Sequence, residues 1–321
     1  MSVKGYLDST ELIKSIKRRG MVPTSQNTFQ DTDFLALANE EMDIGVVPDI
    51  LTTHEDYFLT SEEVLLTSSP DGIYDIPYRA IGNKLRDLAF KDTSGNIYEM
   101  SRIPVDNISD YQASWIETRV HKYYVKSNQI YLLPNLTYNM GGSLIFFFYL
   151  RPNHLVPVNE VGVIKSITPV VGGTEIVLNN WPSNFDLATS TVFDFIQVQT
   201  PFKSLDYDVS VISKNSGTKV LKFATADIPN KMEIGDHVAL KGETCIPQLP
   251  QELHPVIAQR AAMRCLEAFK DTEGMAIAEK KLTEMEKNTD ELINNRVEGS
   301  PLKIINRNSF IRIGRRRRRN Y

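Results

Sequence analysis

The chain has 321 residues, 41% of them hydrophobic and 24% charged, with a formal net charge of −4. That length buries a sizeable core and suggests about two domains. The balance excludes a globally basic nucleic-acid binder, and the longest apolar run, 144–150, is far short of the roughly 18 residues that cross a bilayer.

The mean charge conceals an asymmetry. Residues 296–321 hold nine basic side chains against one acid, Glu298, so this end carries +8 and the rest of the chain −12. An acidic body with a basic tip is the most informative bulk property. Two cysteines, Cys245 and Cys265, suit reduced thiols and offer neither a disulfide framework nor metal spacing. The opening Met-Ser-Val-Lys-Gly lacks the apolar core of a signal peptide.

In chain order, Asp8 or Ser9 caps a first helix with the apolar stripe Leu12, Ile13 and Ile16, and Gly20 offers a left-handed exit. Asp31 and Asp33 open a second helix carrying Phe34, Leu35, Leu37, Ala38 and Met42, which Gly45 and Pro48 are expected to stop. From about Thr60 the texture becomes β, in short runs at 96–103, 122–125, 129–133 and 143–150. The last is apolar on both faces, as a covered central strand should be. After Arg151-Pro152 a second β block begins. Its runs flank Val171-Gly172-Gly173 and Asn215-Ser216-Gly217, which reads as a small barrel or sandwich set apart as an insertion. Past Pro247 and Pro250 the period returns to helical, with an interruption at 271–274, giving a helical hairpin or a long kinked helix.

These shifts divide the chain into N-terminal helices (1–59), a β-rich region packed on them (60–157), an inserted β-barrel or sandwich (158–249), a C-terminal helical hairpin (250–297) and a basic extended tail (298–321). The expected class is α+β: a helical core from both ends of the chain, with an inserted antiparallel β region.

Catalytic signatures are sparse. Gly172-Gly173 lacks the Lys and Ser/Thr of a phosphate loop, and His54-Glu55 has no second histidine at helical spacing. The five histidines are scattered, none near a cysteine in a ligand-like pattern. Asp31-Thr32-Asp33 reads better as a helix start than an ion site, and Asp206-Tyr207-Asp208 better as a solvated strand edge than a catalytic pair. No catalytic residue, metal or cofactor is expected.

Two basic groups stand out. Lys14, Lys17, Arg18 and Arg19 on the first helix are a candidate interface between copies, because acidic bodies repel one another unless cations lie between them. In the tail, Phe310, Ile311 and Arg312 precede Arg315, Arg316, Arg317, Arg318 and Arg319. Such a segment suits docking into an acidic groove or neutralising phosphates.

Several segments together resemble one family. They are Glu11–Arg19 with Met21–Gln26, Phe34–Glu41, Ile76–Gly82, Tyr149–Pro152, Ile234–Leu240 and Leu253–Arg260. In order and spacing they are similar to the head-to-tail adaptor, or neck, proteins of podovirus-like tailed bacteriophages. The resemblance implies a non-enzymatic ring of roughly twelve copies beneath the portal, with a closed rotational symmetry. It also implies a C-terminal extension that reaches the portal, further neck or tail proteins as neighbours, and packaged DNA in the channel. The location implied is the virion, after assembly in the host cytoplasm, with no membrane partner. The alternative reading is a nucleic-acid-binding module that uses a β-barrel and the arginine tail. An enzyme built on Asp206 and Asp208 is a third.

Overall fold

The computed structural model describes residues 6–23, 29–66, 72–108, 122–133 and 141–293. It is an α+β fold in which helices from both ends of the chain enclose one core, beside two β units.

Helix α1 (Ser9–Arg19) starts at Asp8, whose carboxylate accepts the Glu11 N–H at 3.0 Å. Leu12, Ile13 and Ile16 are buried on one face. Gly20 does not take the expected left-handed exit: its φ is −79°, and Met21, at φ 48°, turns the chain one residue later. Helix α2 (Asp31–Glu41) opens with reciprocal bonds between Gln30 and Asp33, so Asp33 serves as a cap and Asp31 instead pairs with Lys17.

Gly45 and Pro48 do not end this helix. The chain passes through a single π-helical turn (Met42–Val46) directly into α3 (Val47–Thr53), with Pro48 in its first turn. Proline has no N–H to donate backward, and a widened turn carries the chain past it. Gly45 makes room for Arg260, whose Nη1 would lie 2.0 Å from a Cβ at position 45. Arg260 pairs with Asp49 at 2.8 Å and Glu286 at 2.6 Å, tying α3 to the C-terminal helices.

Those helices are α4 (His254–Phe269) and α5 (Thr272–Ile293). They form a hairpin rather than one kinked helix. Lys270 takes a left-handed conformation between them, Asp271 caps the Gly274 N–H, and Gln259 reaches the Ala278 carbonyl. The apolar face of α4, including Val256, Ile257, Ala261 and Cys265, packs with α1, α2 and α3 in one core. Small residues there let the helices approach closely.

The first β unit is a pair of facing sheets sharing one core. One sheet has the order β1 (Leu59–Leu65), β8 (Ser143–Leu150), β3 (Ala80–Lys91), β4 (Ile97–Glu99). The other is β2 (Ile73–Asp75), β7 (Gln129–Leu133), β6 (Lys122–Lys126), β5 (Ser101–Arg102). The apolar run Leu144–Leu150 is central, as its two-faced hydrophobicity requires. A short parallel pair, β9 (His154–Leu155) with β16 (Glu243–Thr244), follows it against the helical core.

The second β unit is a closed barrel with the order β10 (Gly162–Val170), β11 (Gly173–Leu178), β14 (Val220–Phe223), β13 (Ser204–Asn215), β12 (Val192–Ile196), β15 (His237–Leu240). No separate strand is expected from the sequence at β12, a short apolar run with an acid at its centre. Phe193 and Phe195, two residues apart, both point inward and meet Phe223 edge to face at 5.9 and 5.1 Å. A small cluster around Phe202, Cys245 and Ile246 meets the helices where Phe202 packs on the His254 ring and the Cys245 carbonyl accepts the Ser9 N–H. There Cys245 Sγ lies 3.2 Å from His237 Nδ1, so one histidine does meet a cysteine in space.

His254 clasps this junction. The Leu7 N–H donates to its Nδ1 at 3.3 Å, and its Nε2 faces the Leu249 carbonyl at 3.2 Å, which suits a neutral ring. Burial lowers its pKa to about 4. A histidine depressed in the folded state binds its proton more readily when unfolded, so stability should fall as the pH drops from about 6.5 to about 4, by about 3 kcal/mol in all. Urea melts from pH 7 to pH 4 should show this slope, and His254→Gln should remove that part of it. Coincident slopes would refute the assignment.

Candidate functional site

Within β12 the side chain between the two phenylalanines, Asp194, points out of the barrel and is fully buried. It meets Arg79, at the entry to β3 of the first β unit. Arg79 Nη2 donates to both Asp194 oxygens, at 2.9 and 2.8 Å, and to Asp208 Oδ1 at 2.9 Å. Its Nη1 donates to Asn153 Oδ1 at 2.9 Å. Asp194 also accepts from Asn153 Nδ2 at 2.7 Å and from the backbone N–H groups of Asp208 and Gly242, each at 2.9 Å. Asn153 is held in turn through its N–H to Gln248 Oε1, 2.8 Å away.

The chain bends to make this possible. The β12–β13 pairing shifts register near Phe195, and Asp208 adopts φ 60°, a left-handed conformation that aspartate tolerates better than most residues. Tyr78 donates its hydroxyl to Asp208, and Lys241 lies 3.6 Å from that carboxylate and 4.2 Å from the centre of the Tyr78 ring. Asp206-Tyr207-Asp208 is therefore not the solvated edge expected: Asp208 is only 23% exposed and belongs to a joint between the two β units.

Burial works against the Arg79 charge, but the hydrogen bond to Asp208 and the attraction of Asp194 outweigh it and hold the guanidinium above its ordinary range. Asp208 is likewise partly desolvated, yet its bonds to Arg79 and Tyr78 hold its carboxyl below the usual range. The donors of Arg79 and the acceptors of Asp194 are directed at protein groups. That arrangement ties the two β units together.

The sequence reading missed Arg79, Asp194 and Asn153 as a set. The available signal was Asp194 itself, an acid inside the apolar run Val192–Ile196, which a buried strand carries only when a cation waits opposite.

The basic group on α1 separates in space. Lys14 pairs with Glu11 in its own helix at 2.9 Å. Lys17 pairs with Asp31 at 2.6 Å and lies over the Phe34 ring. Arg19 is half-buried, bonded to Gln259 at 2.8 Å and to Ser15. Arg18 is exposed. The tail residues Phe310, Ile311, Arg312 and Arg315–Arg319 lie outside the described residues. Among the described residues there is no cluster of His, Cys, Asp or Glu that could hold a metal, and no helix long and apolar enough to cross a membrane.

Neither a protein-family model nor a curated protein sequence matches the chain.

Removing one partner from a buried pair leaves the other charge uncompensated, which costs about 3–5 kcal/mol. Arg79→Leu and Asp194→Leu should each lower stability by about that amount in chemical denaturation. The double variant should lose far less than the sum, because it leaves no lone charge between those positions. Additive losses would show that Arg79 and Asp194 do not act as a unit.

Proposed function

We propose that the chain is a structural ring subunit, the head-to-tail adaptor that joins the portal vertex of a tailed-phage capsid to the tail, and that it performs no catalysis. The observation that carries this reading is the joint. The most deeply buried cation among the described residues, Arg79, is spent on locking two β units together. The helices from both ends close a separate core beside them. A connector must keep the relative placement of its parts under load, and directional buried ion pairs give that specificity better than apolar contact alone. The virion is the corresponding location, and the partners are further copies of the chain, the portal, and other neck or tail proteins.

Arg18 is the α1 cation best placed to meet a neighbouring copy, because Lys14, Lys17 and Arg19 already have partners within the chain. Its exposed position should make Arg18→Glu nearly neutral for the monomer, within about 0.5 kcal/mol, while impairing ring closure. Lys17→Glu should cost both, since it also opposes Asp31.

Electron microscopy of the purified chain, alone and mixed with a portal protein of a tailed phage, tests the reading directly. Closed rings, or rings seated on the portal, are expected. A protein that stays monomeric at high concentration and ignores the portal overturns it.

A further inference from the structure

Where the helical core, the first β unit and the barrel meet, the chain leaves a cleft of about 660 Å³. Its apolar side is made by Tyr57 and Phe58, from the turn after α3, with Leu59, Pro152 and Pro201. His54 stands edge to face with Tyr57, the ring centres 6.0 Å apart. Two bonds hold the walls in place. The Tyr57 hydroxyl donates to the Pro201 carbonyl at 3.0 Å, tying the helical side to the barrel, and Gln248 Nε2 donates to Ser204 Oγ at 2.9 Å. Preformed clefts of roughly 300–1,000 Å³ with an apolar floor and a few convergent polar groups are the usual seats of small ligands.

The polar lining consists mainly of donors. Arg151, just past β8, Lys203, just before β13, and Lys231, ahead of β15, come from three separate segments and are all exposed where they line the cleft. Among the described residues none of the three lies within ion-pairing distance of a carboxylate. Asp43 feels the charge of Arg151 but does not line the cleft. Ser204 accepts from Gln248, so its own O–H is left to donate. The single carboxylate of the lining, Asp56, is already paired with Arg86 at 2.5 Å. Residues 1–295 carry −12 overall, so these converging cations are opposite in sign to the body around them. They mark a place for an anion.

The number of cations says which anion. A single carboxylate would leave most of them unmatched, whereas a phosphate or diphosphate carries several negative charges, and the planar fork of Arg151 can take two of its oxygens in parallel. The apolar side calls for a flat body beside the phosphates. We propose that the cleft binds a nucleoside phosphate, its phosphates among Arg151, Lys203 and Lys231 and its base against His54, Tyr57 and Pro201. A free nucleotide and the phosphorylated end of a nucleic-acid strand both offer this chemistry. The site does not depend on the ring reading, since every lining residue comes from one chain.

The test is equilibrium binding of ADP to the full-length chain, with photolabelling by azido-ADP to locate it. Label is expected on peptides that cover residues 54–60 or 201–204. Lys203→Ser with Lys231→Ser should weaken ADP about tenfold or more, because charge-assisted bonds to phosphate are the strong ones. Both lysines are exposed, so that variant should melt as the native chain does. His54→Ala should weaken ADP several-fold and leave pyrophosphate unaffected, as a base lying on the aromatic side requires. Replacing Arg315–Arg319 with serine should change neither. Label confined to residues 310–321 overturns the proposal, as does ADP binding that survives loss of the two lysines. So does pyrophosphate that binds as tightly as ADP, and so does an absence of ADP binding at millimolar concentration. A short oligonucleotide with a terminal phosphate that displaces ADP better than the same strand without it supports a strand end as the source. ADP undisturbed by either strand supports a free nucleotide.

Discussion

Arg79 is a charge taken almost wholly out of water, 7% exposed, and its side chain comes from one β unit while its carboxylate partners come from the other. Desolvating a guanidinium and a carboxylate costs several kcal/mol each, so the folded chain tolerates them only while the pair is closed and each remaining lone pair and proton is used. The barrel can therefore fill its own core with Phe185, Phe193, Phe195 and Phe223 and still depend on the sandwich for its outer face. Its placement is set by an ion pair with fixed directions, Asn153 and Gln248 serving as struts from the segments that link the units.

The helical core uses charge differently. Its interior is apolar, and its ion pairs lie at the rim, where Arg260 bridges Asp49 and Glu286 and Arg264 meets Glu41. Such partly exposed pairs add little stability singly. They instead select how α4 and α5 seat on α2 and α3, and the π turn with Gly45 is the local distortion that lets Arg260 in. Closing a core from both ends also means that neither terminal helix can complete it alone.

The joint also borders a cleft of about 580 Å³, which Tyr78, Arg79 and Asp208 line together with residues 60–63 of β1. The net −12 of residues 1–295 and the +8 of the remaining residues are opposite in sign. Charge segregated along a chain in this way favours contacts between unlike surfaces over contacts between like ones.

Local pattern sufficed for much of this fold. The apolar stripes Leu12-Ile13-Ile16 and Val256-Ile257-Ala261, the cap at Asp8, the two-faced run Leu144–Leu150 and the glycine turn at 172–173 each act over a few residues, so their outcome is legible from the sequence. Where a competing partner lay far along the chain, the same rules misled. Gly45 and Pro48 read as a helix stop, but Arg260, more than two hundred residues away, needs the space that a continued, widened helix provides. Asp208 read as a solvated edge residue because Arg79 and Tyr78 are 129 and 130 residues distant. The amino-acid sequence alone determined the elements and the segregation of charge. Which charges are buried together was decided by tertiary structure, since the cost of desolvating a charge depends on a partner that no local window contains.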